Sequence, residues 1–223
     1  MSARRWMALA VGGLTLVGLG VAIGRWSDSS SSAAGQRPSS ADIGFAQAMT
    51  IHHQQAVLMS QLAPTSVDAP VGNLAKSIEA NQLQQVGQLQ GWLQLWHAPL
   101  VPTTDPMAWM GEWMGEEHSM PGRPSSSGTA MPGMATQAEL DRLQAARGTQ
   151  ANVLFLQFMI RHHEGGLSMA HYEAAHGRVV QVRALAAGMV ADETSEVQYM
   201  VSLLEHYRAR PLPAPLLPAT NGH

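Results

Sequence analysis

The sequence predicts an all-α protein: a four-helix bundle made of two duplicated helical hairpins, with a transmembrane or signal helix at the N-terminus. The first observation is an internal repeat, in which "FAQAMTIHHQQAVLMSQLA" (residues 45–63) returns as "FLQFMIRHHEGGLSMAHYEA" (residues 155–174). A second matching segment follows each copy, so that residues 74–93 pair with residues 185–204. Apolar residues recur at helical spacing in these segments, and strand-like alternation is nowhere sustained. Each hairpin is too thin to bury its own apolar stripe, so the two are expected to pack together.

Residues 1–26 are predicted to be a membrane anchor or an uncleaved signal. The apolar run from Trp6 to Ile23 approaches the length that spans a bilayer and exceeds a usual signal core. Arg4 and Arg5 place the N-terminus in the cytoplasm and the rest of the chain outside, and the pair resembles a twin-arginine export signal. No small-residue cleavage site follows the run directly, which favours a retained anchor over a cleaved signal. The Ser-rich residues 27–41 are predicted to be a flexible tether.

The first copy of the hairpin is predicted at residues 42–97, within a bundle that covers residues 42–210. Its first helix runs from about Asp42 to Ala63 and its second from about Val71 to His97, and prolines follow both. A linker rich in Met, Gly and Pro occupies residues 98–135.

The second copy is predicted at residues 136–210. Thr136 and Glu139 form a capping-box pattern that opens a short helix. Two longer helices follow at about Thr149–His176 and Val179–Arg208, and residues 211–223 form a Pro-rich tail.

Composition excludes several classes of function. The 13 Lys and Arg are scattered along a chain of formal net charge −3, so no nucleic-acid partner is expected. Cysteine is absent, which excludes disulfides, zinc fingers and a thiol nucleophile. No phosphate loop or nucleophile constellation indicates catalysis, so the protein is not expected to be an enzyme. Methionine is abundant, at 14 residues.

Both copies carry adjacent histidines on the helix face that is predicted to point into the core. At 100° per residue, the His-His pair of each copy shares this face with a Phe and two Met. In a single copy, a Met stripe with a locally bonded His is the more ordinary interpretation. Four buried imidazoles without partners would, however, cost about 1 to 3 kcal/mol each, and a metal ion is the simplest partner. The predicted metal ligands are Met49, His52, His53 and Met59, with Met159, His162, His163 and Met169.

The ligand types predict copper. Thioether sulfur suits Cu(I), and imidazole also accommodates Cu(II). The linker adds His118, Met120, Met131 and Met134 as possible auxiliary ligands, and the last three lie among Gly, Pro and Ser, where no packing role is expected. Met107, Met110 and Met114 instead have the spacing of a short amphipathic helix that lies on the bundle.

The two copies differ in their carboxylates. Asp192 and Glu196 lie three and seven residues after Met189 in the stripe of the last helix, where the first copy has amides. They are possible outer partners that orient His162 or His163 or offset the charge of a metal, or they lie at the edge of the stripe and reach water. On the first interpretation, the second half holds the tighter or more oxidised metal site.

The pattern Phe-x-x-x-Met-x-x-His-His, a Gln/Glu-rich helix with "WLQLW", then "MPGM" and a second "FMIRHHEGG", resembles the domain-of-unknown-function 305 (DUF305) family over Asp42–Tyr207. The resemblance implies a ferritin-like four-helix bundle exported from a bacterium, and hence a bacterial cell membrane for the anchored form. It also implies copper binding through His and Met, because some members are copper binders outside the cytoplasm. The same eight His and Met positions match the family pattern. Residues 81–85 lack the acidic residue that the family shows before "WL", whereas Glu196 supplies one in the second copy.

The predicted function is therefore copper sequestration or transfer by a membrane-tethered bundle outside the cytoplasm. The alternative is a metal-free helical module whose Met/Trp linker docks a partner membrane protein. A di-iron-like oxidoreductase comes third, because only Glu173 and His176 form the Glu-x-x-His pair that such a site takes from two helices.

Overall fold

Five α-helices and one 3-10 segment carry the fold in the computed structural model, which describes residues 37–63, 67–114 and 131–214. They are α1 (Ser40–Leu62), α2 (Ala69–Leu95), the 3-10 segment (Ala108–Met114), α3 (Gln137–Ala145), α4 (Gly148–His176) and α5 (Val180–His206). The described residues contain no strand, which confirms the predicted all-α class. The predicted anchor, most of the tether and tail, and His118 and Met120 lie outside the described residues. In the ranges that are described, no helix combines the length and the apolar character needed to cross a membrane.

Local sequence explains where α1, α2 and α3 begin. Ser39 caps α1: its hydroxyl accepts from the Asp42 backbone N–H, and the Asp42 carboxylate accepts from the Ser39 N–H at 2.6 Å. Thr136 and Glu139 form the same reciprocal box at the start of α3, which confirms the predicted capping box. A proline in the first turn of α2 has no N–H to leave unsatisfied and is preorganised for a helix.

The helices form two hairpins, α1–α2 and α4–α5, whose first helices pack against each other in antiparallel fashion. The C-terminal part of α1 shares one hydrophobic cluster with the N-terminal part of α4, for example Met59 with Phe155. The N-terminal part of α1 shares a second cluster with the C-terminal part of α4, for example Phe45 with Met169. The core thus consists of two apolar clusters, and the middle turns of α1 and α4 lie between them. This arrangement confirms the predicted bundle of duplicated hairpins.

Asp42 joins the two hairpins at one end of the bundle. Its carboxylate accepts backbone N–H bonds from Arg178 at 3.0 Å and Val179 at 2.8 Å, just before α5 begins. Burial and the charge of Asp42 raise the pKa of the fully buried Glu173 to about 9, so Glu173 is neutral at neutral pH. Glu173 is therefore an uncharged carboxylic acid at this end of the bundle.

The described parts of the linker pack on the second cluster. Met107 and Met110 are buried there, as the amphipathic spacing predicts, and Trp109 packs edge-on against Phe45 with ring centroids 6.0 Å apart. Met131 is also buried in this cluster and Met134 packs against it. The expectation that Met131 and Met134 have no packing role is therefore wrong, because the chain around them lies directly on α4.

Candidate metal centre

The four histidines of the two pairs form a buried layer between the two hydrophobic clusters. His52 and His53 lie at the middle of α1, His162 and His163 lie at the middle of α4, and all four are 0% exposed. The predicted thioethers Met49, Met59, Met159 and Met169 are likewise fully buried. The prediction that these eight side chains point into the core is confirmed.

The imidazole layer has approximate twofold symmetry. Within each pair the ring centroids are 6.3 Å apart, at 53° for His52–His53 and 56° for His162–His163. Across the helix interface, the rings of His52 and His162 lie against each other, with centroids 3.7 Å apart and 32° between the ring planes. The duplicated sequence thus produces duplicated ring geometry, and the two copies meet at the first histidine of each pair.

Most of the imidazole nitrogens have no hydrogen-bond partner among the described residues. His52 Nε2 contacts the Pro132 carbonyl oxygen at 3.3 Å, and His163 Nε2 contacts Glu196 Oε2 at 2.8 Å. The other six of the eight nitrogens are buried and unpaired. Gln85 and the backbone of His52 face His53 and His162 without reaching hydrogen-bond geometry. Buried polar atoms are normally satisfied, so six such atoms at one level of a core require an explanation.

Burial sets the protonation of the layer. It lowers the pKa of His52 to about 3 and holds the pKa of His53 and His162 well below the usual value. These three rings are neutral at neutral pH and keep the lone pair that a metal ion requires. Burial would also lower the pKa of His163, but the hydrogen bond with Glu196 and the charges of Glu193 and Glu196 raise it.

A short segment, which we call the strap (residues 131–135), covers the layer on its α1–α4 side. The side-chain amide of Gln55 pairs with both backbone groups of Ala135, at 2.9 and 2.6 Å. The strap crosses α4 at Gly165, where an added Cβ would lie 2.1 Å from the Pro132 carbonyl oxygen. At Gly166, an added Cβ would lie 2.9 Å from Glu193 Oε2 and 3.1 Å from His52 Cε1. The two glycines of "HHEGG" therefore admit the strap and the groups of the site.

Two carboxylates of α5 approach the layer, and only one of them was predicted. Glu196 forms a hydrogen bond with His163, as expected for a carboxylate that orients an imidazole. Asp192 is exposed, so of its two interpretations the one that orients an imidazole is wrong, and the residue reaches water at the edge of the stripe. Glu193 lies inside instead: it is 4% exposed, both its oxygens are unpaired, and burial raises its pKa to about 7. The sequence carried a signal for Glu193, which lies four residues after the buried Met189 and seven before the buried Met200. These spacings place it on the same helix face.

The predicted thioethers divide into near and far pairs. Met49 and Met159 each precede the first histidine of their pair by three residues, an axial rise of about 4.5 Å. Met59 and Met169 each follow the second histidine by six residues, an axial rise of about 9 Å. The near pair is thus within one helical turn of the imidazole layer.

The chemistry of the donor set fits a soft or borderline metal ion. In the described part of the chain, no three His, Asp or Glu side chains already have their donor atoms gathered around one point. The His52 and His162 rings instead lie against each other, tilted by 32°. The unpaired donors are imidazole nitrogens near buried thioethers, and imidazole with thioether is a set that copper accepts.

The structure does not bring the predicted Glu-x-x-His pair together. Glu173 is buried beside Asp42, whereas His176 is exposed and its Nδ1 contacts the Tyr172 carbonyl oxygen at 2.9 Å. The two side chains that a di-iron site would need together are therefore in different environments.

Fold and site define a class of protein: an all-α bundle of two duplicated hairpins with a buried, symmetric layer of four imidazoles. The chain belongs to the DUF305 family, a domain of unknown function, whose family model matches residues 42–204. No curated protein matches the chain significantly.

Solved structures share the fold. A DUF305 protein of Streptomyces coelicolor, predicted to be secreted, is 39% identical, with a TM-score of 0.68 over 77% of this chain and 96% of its own. A DUF305 fragment from Deinococcus radiodurans is 26% identical, with a TM-score of 0.59 over 77% of this chain and 99% of its own. CopM in its Cu(I)-bound form is 22% identical, with a TM-score of 0.55 over 74% of this chain and 96% of its own. CopM in its Cu(II)-bound form gives 22% identity and a TM-score of 0.56, over 74% and 97% of the two chains.

Proposed function

We propose that this protein binds copper in the imidazole layer and sequesters it or passes it on outside the cytoplasm. The observation that carries the proposal is the set of six unpaired nitrogens on four fully buried imidazoles. An apolar layer at this level would cost less, because each buried and unsatisfied polar group costs about 1 to 3 kcal/mol. A bound metal ion offsets that cost and gives the layer a function.

The proposed ligands are the unpaired nitrogens of the layer, with sulfur from Met49 and Met159 and, at greater axial distance, from Met59 and Met169. The contact of His52 Nε2 with the Pro132 carbonyl favours the tautomer in which Nε2 carries the proton and Nδ1 keeps the lone pair. The contact of His163 Nε2 with Glu196 favours Nδ1 as the ligand of that ring. When bound, copper would supply a positive charge that these nitrogens share.

Two comparisons support copper and export. CopM has the same fold and is a protein solved in Cu(I)-bound and Cu(II)-bound forms. The Streptomyces coelicolor relative is predicted to be secreted. An extracytoplasmic location also suits His and Met as ligands, because they bind copper without the thiols that oxidise there. We propose that the N-terminal segment directs the chain to that side of the membrane as an anchor or an export signal.

The proposal is tested by titrating the purified full-length chain with Cu(I) in competition with a chromophoric chelator. The site variant replaces His52, His53, His162 and His163 with Ala. The control variant removes the same number of imidazoles from exposed positions: His97, His171, His176 and His206, each to Ala. Far-UV circular dichroism establishes that each variant is helical.

We expect at least one Cu(I) per chain in the wild type and in the control, and loss of that binding in the site variant. Equal binding by the folded site variant would refute the imidazole layer as the copper site. No binding by the wild type would instead support the metal-free module that docks a partner membrane protein. Iron uptake with consumption of dioxygen would instead support the oxidoreductase.

A further inference from the structure

The second half of the layer is connected to the surface by a polar groove between α2 and α5. Three cavities lie along this groove, and the central one, of about 420 Å³, is lined by Gln84, Gln85, Asp192 and Glu196 among others. Glu196 also lines the next cavity along the groove. No Lys or Arg of the described residues lines any of the three cavities. The groove is therefore a surface that favours a cation over an anion.

Glu196 connects this groove to the imidazole layer. Its side chain is 19% exposed, while the His163 ring that it contacts at 2.8 Å is 0% exposed. Glu193 lies three residues before Glu196 in α5; its two oxygens are unpaired, and its side chain approaches Gly166, as the His52 ring does. Glu196 thus connects the groove to His163, and Glu193 adds a second, buried carboxylate on the same helix.

The first half lacks these two carboxylates. The repeat aligns Gln82 with Glu193 and Gln85 with Glu196. Gln82 is buried and its Oε1 is unpaired, as the Glu193 oxygens are, but an amide carries no charge. The two halves therefore offer the same rings with different charge: neutral amides beside His53, and carboxylates beside His163.

We propose that the carboxylates of Glu196 and Glu193 make the His163 end of the imidazole layer the part that takes Cu(II) from the groove. Imidazole with carboxylate oxygen is a harder donor set than imidazole with thioether, and it matches the divalent ion. The carboxylates also offset the charge of that ion in a buried place, where an uncompensated charge is costly. This inference rests on the proposed copper function, which it extends to a specific oxidation state and to specific residues.

The test compares four forms of the full-length chain: the wild type, Glu193→Gln, Glu196→Gln and Asp192→Asn. Asp192→Asn is the matched control, because it removes one carboxylate charge from the same groove at an exposed position that contacts no imidazole. Cu(II) affinity is measured against a competing chelator, electron paramagnetic resonance reports the nitrogen and oxygen ligands, and Cu(I) affinity is measured separately.

We expect Glu193→Gln and Glu196→Gln to weaken Cu(II) binding about ten- to hundredfold, which is the range for partners of metal ligands. Their loss of Cu(II) affinity should exceed their loss of Cu(I) affinity, the resonance signal should change, and Asp192→Asn should match the wild type. Cu(II) binding at wild-type strength in the two Gln variants would overturn the proposal, as would a wild type that binds Cu(I) but no Cu(II). If the wild type binds neither ion, the proposed copper function itself fails. Glu196 is partly exposed, so Glu196→Gln decides the question even if Glu193→Gln does not fold.

Discussion

Replacing Gly165 with Ala tests whether the strap is fixed by its close approach to α4. An added Cβ at this position would lie 2.1 Å from the Pro132 carbonyl oxygen and 2.4 Å from its carbon. Ordinary van der Waals contact begins at 3.4 Å, so the strap would have to move by more than 1 Å. Because the obstructing atoms are backbone, no side-chain rotation relieves the overlap.

The expected cost follows from what that movement breaks. Overpacking of this kind costs about 1 to 3 kcal/mol. Displacement of Pro132 also removes its contact with His52 Nε2, worth about 1 kcal/mol. Against these stands the gain of about 1 kcal/mol for Ala over Gly inside a helix. The net expectation is a loss of about 2 kcal/mol in the free energy of unfolding, which lowers the Tm of a chain of this size by about 4 to 8 °C.

The matched control is Gly188→Ala, in the middle of α5. An added Cβ there meets no atom within 4 Å, so only the helix-propensity gain applies. We expect this variant to be more stable than the wild type by about 0.5 to 1 kcal/mol. Both variants make the same Gly-to-Ala change. Opposite changes in the free energy of unfolding would therefore isolate the effect of the contact with the strap.

Urea unfolding followed by circular dichroism measures both variants, and Cu(I) titration shows whether displacement of the strap alters binding. If Gly165→Ala were as stable as the wild type or as Gly188→Ala, the strap would not be held against α4. The "HHEGG" glycines would then have no role in admitting it.

Three further predictions address charge and ligand choice. The hydrogen bond from Arg161 lowers the pKa of Glu139 to about 2, below its ordinary value, so the pair stabilises the fold above about pH 4.5 and this contribution is lost as the pH falls towards 2. Glu139→Gln should therefore cost about 1 kcal/mol at pH 7 and much less at pH 2 in urea unfolding, whereas the exposed Glu205→Gln should cost little at either pH. Burial raises the pKa of Glu173 to about 9, so the unfolded chain loses this proton near pH 4.5 while the folded chain keeps it, and stability should fall between those values as the pH rises. Glu173→Gln should flatten that dependence on pH. If the wild type gained stability relative to Glu173→Gln as the pH rises over this window, the prediction would be contradicted. Finally, Met49→Leu with Met159→Leu should weaken Cu(I) binding more than Met59→Leu with Met169→Leu, and the reverse order in the chelator titration would place the thioether ligands two turns away.

The fold was predictable from the sequence because a helix converts spacing directly into a face. The repeat of residues 45–63 at residues 155–174 fixes two equivalent helices, and the angular positions of His52 and His53 beside Phe45 place both on the buried side. Helix bounds agree within a few residues for the same reason, since the capping box at Thr136 and the prolines after α1 and α2 are local signals.

The strap was not predictable, because its position depends on contacts between residues far apart in the chain. Met131 and Met134 lie among Gly and Pro without periodicity, so the sequence suggests exposed ligands. The structure buries Met131 in the second cluster because Gly165 allows the backbone of Pro132 to approach α4. The two glycines after His163 were the available signal, since a pair of glycines inside a helix costs stability unless something packs closely against it.

Residue spacing along the sequence did not predict which carboxylate of α5 is buried. Asp192 and Glu193 are neighbours, and the stripe that contains Met189 continues by either a three-residue or a four-residue step. The three-residue step predicts Asp192 inside and the four-residue step predicts Glu193, which is the buried residue. Burial of a carboxylate contradicts the usual preference of Glu for solvent, so hydropathy alone favours neither residue.

The carboxylates of α5 also make the two halves of the imidazole layer differ in charge. A duplicated hairpin with identical rings would bind metal symmetrically, and the ring geometry of the two pairs is indeed nearly equal. The change from amide at Gln82 and Gln85 to carboxylate at Glu193 and Glu196 adds charge to one half without altering that ring geometry. A cation that enters the layer therefore has a lower electrostatic cost beside His163 than beside His53, although the helices that hold both rings are copies of each other.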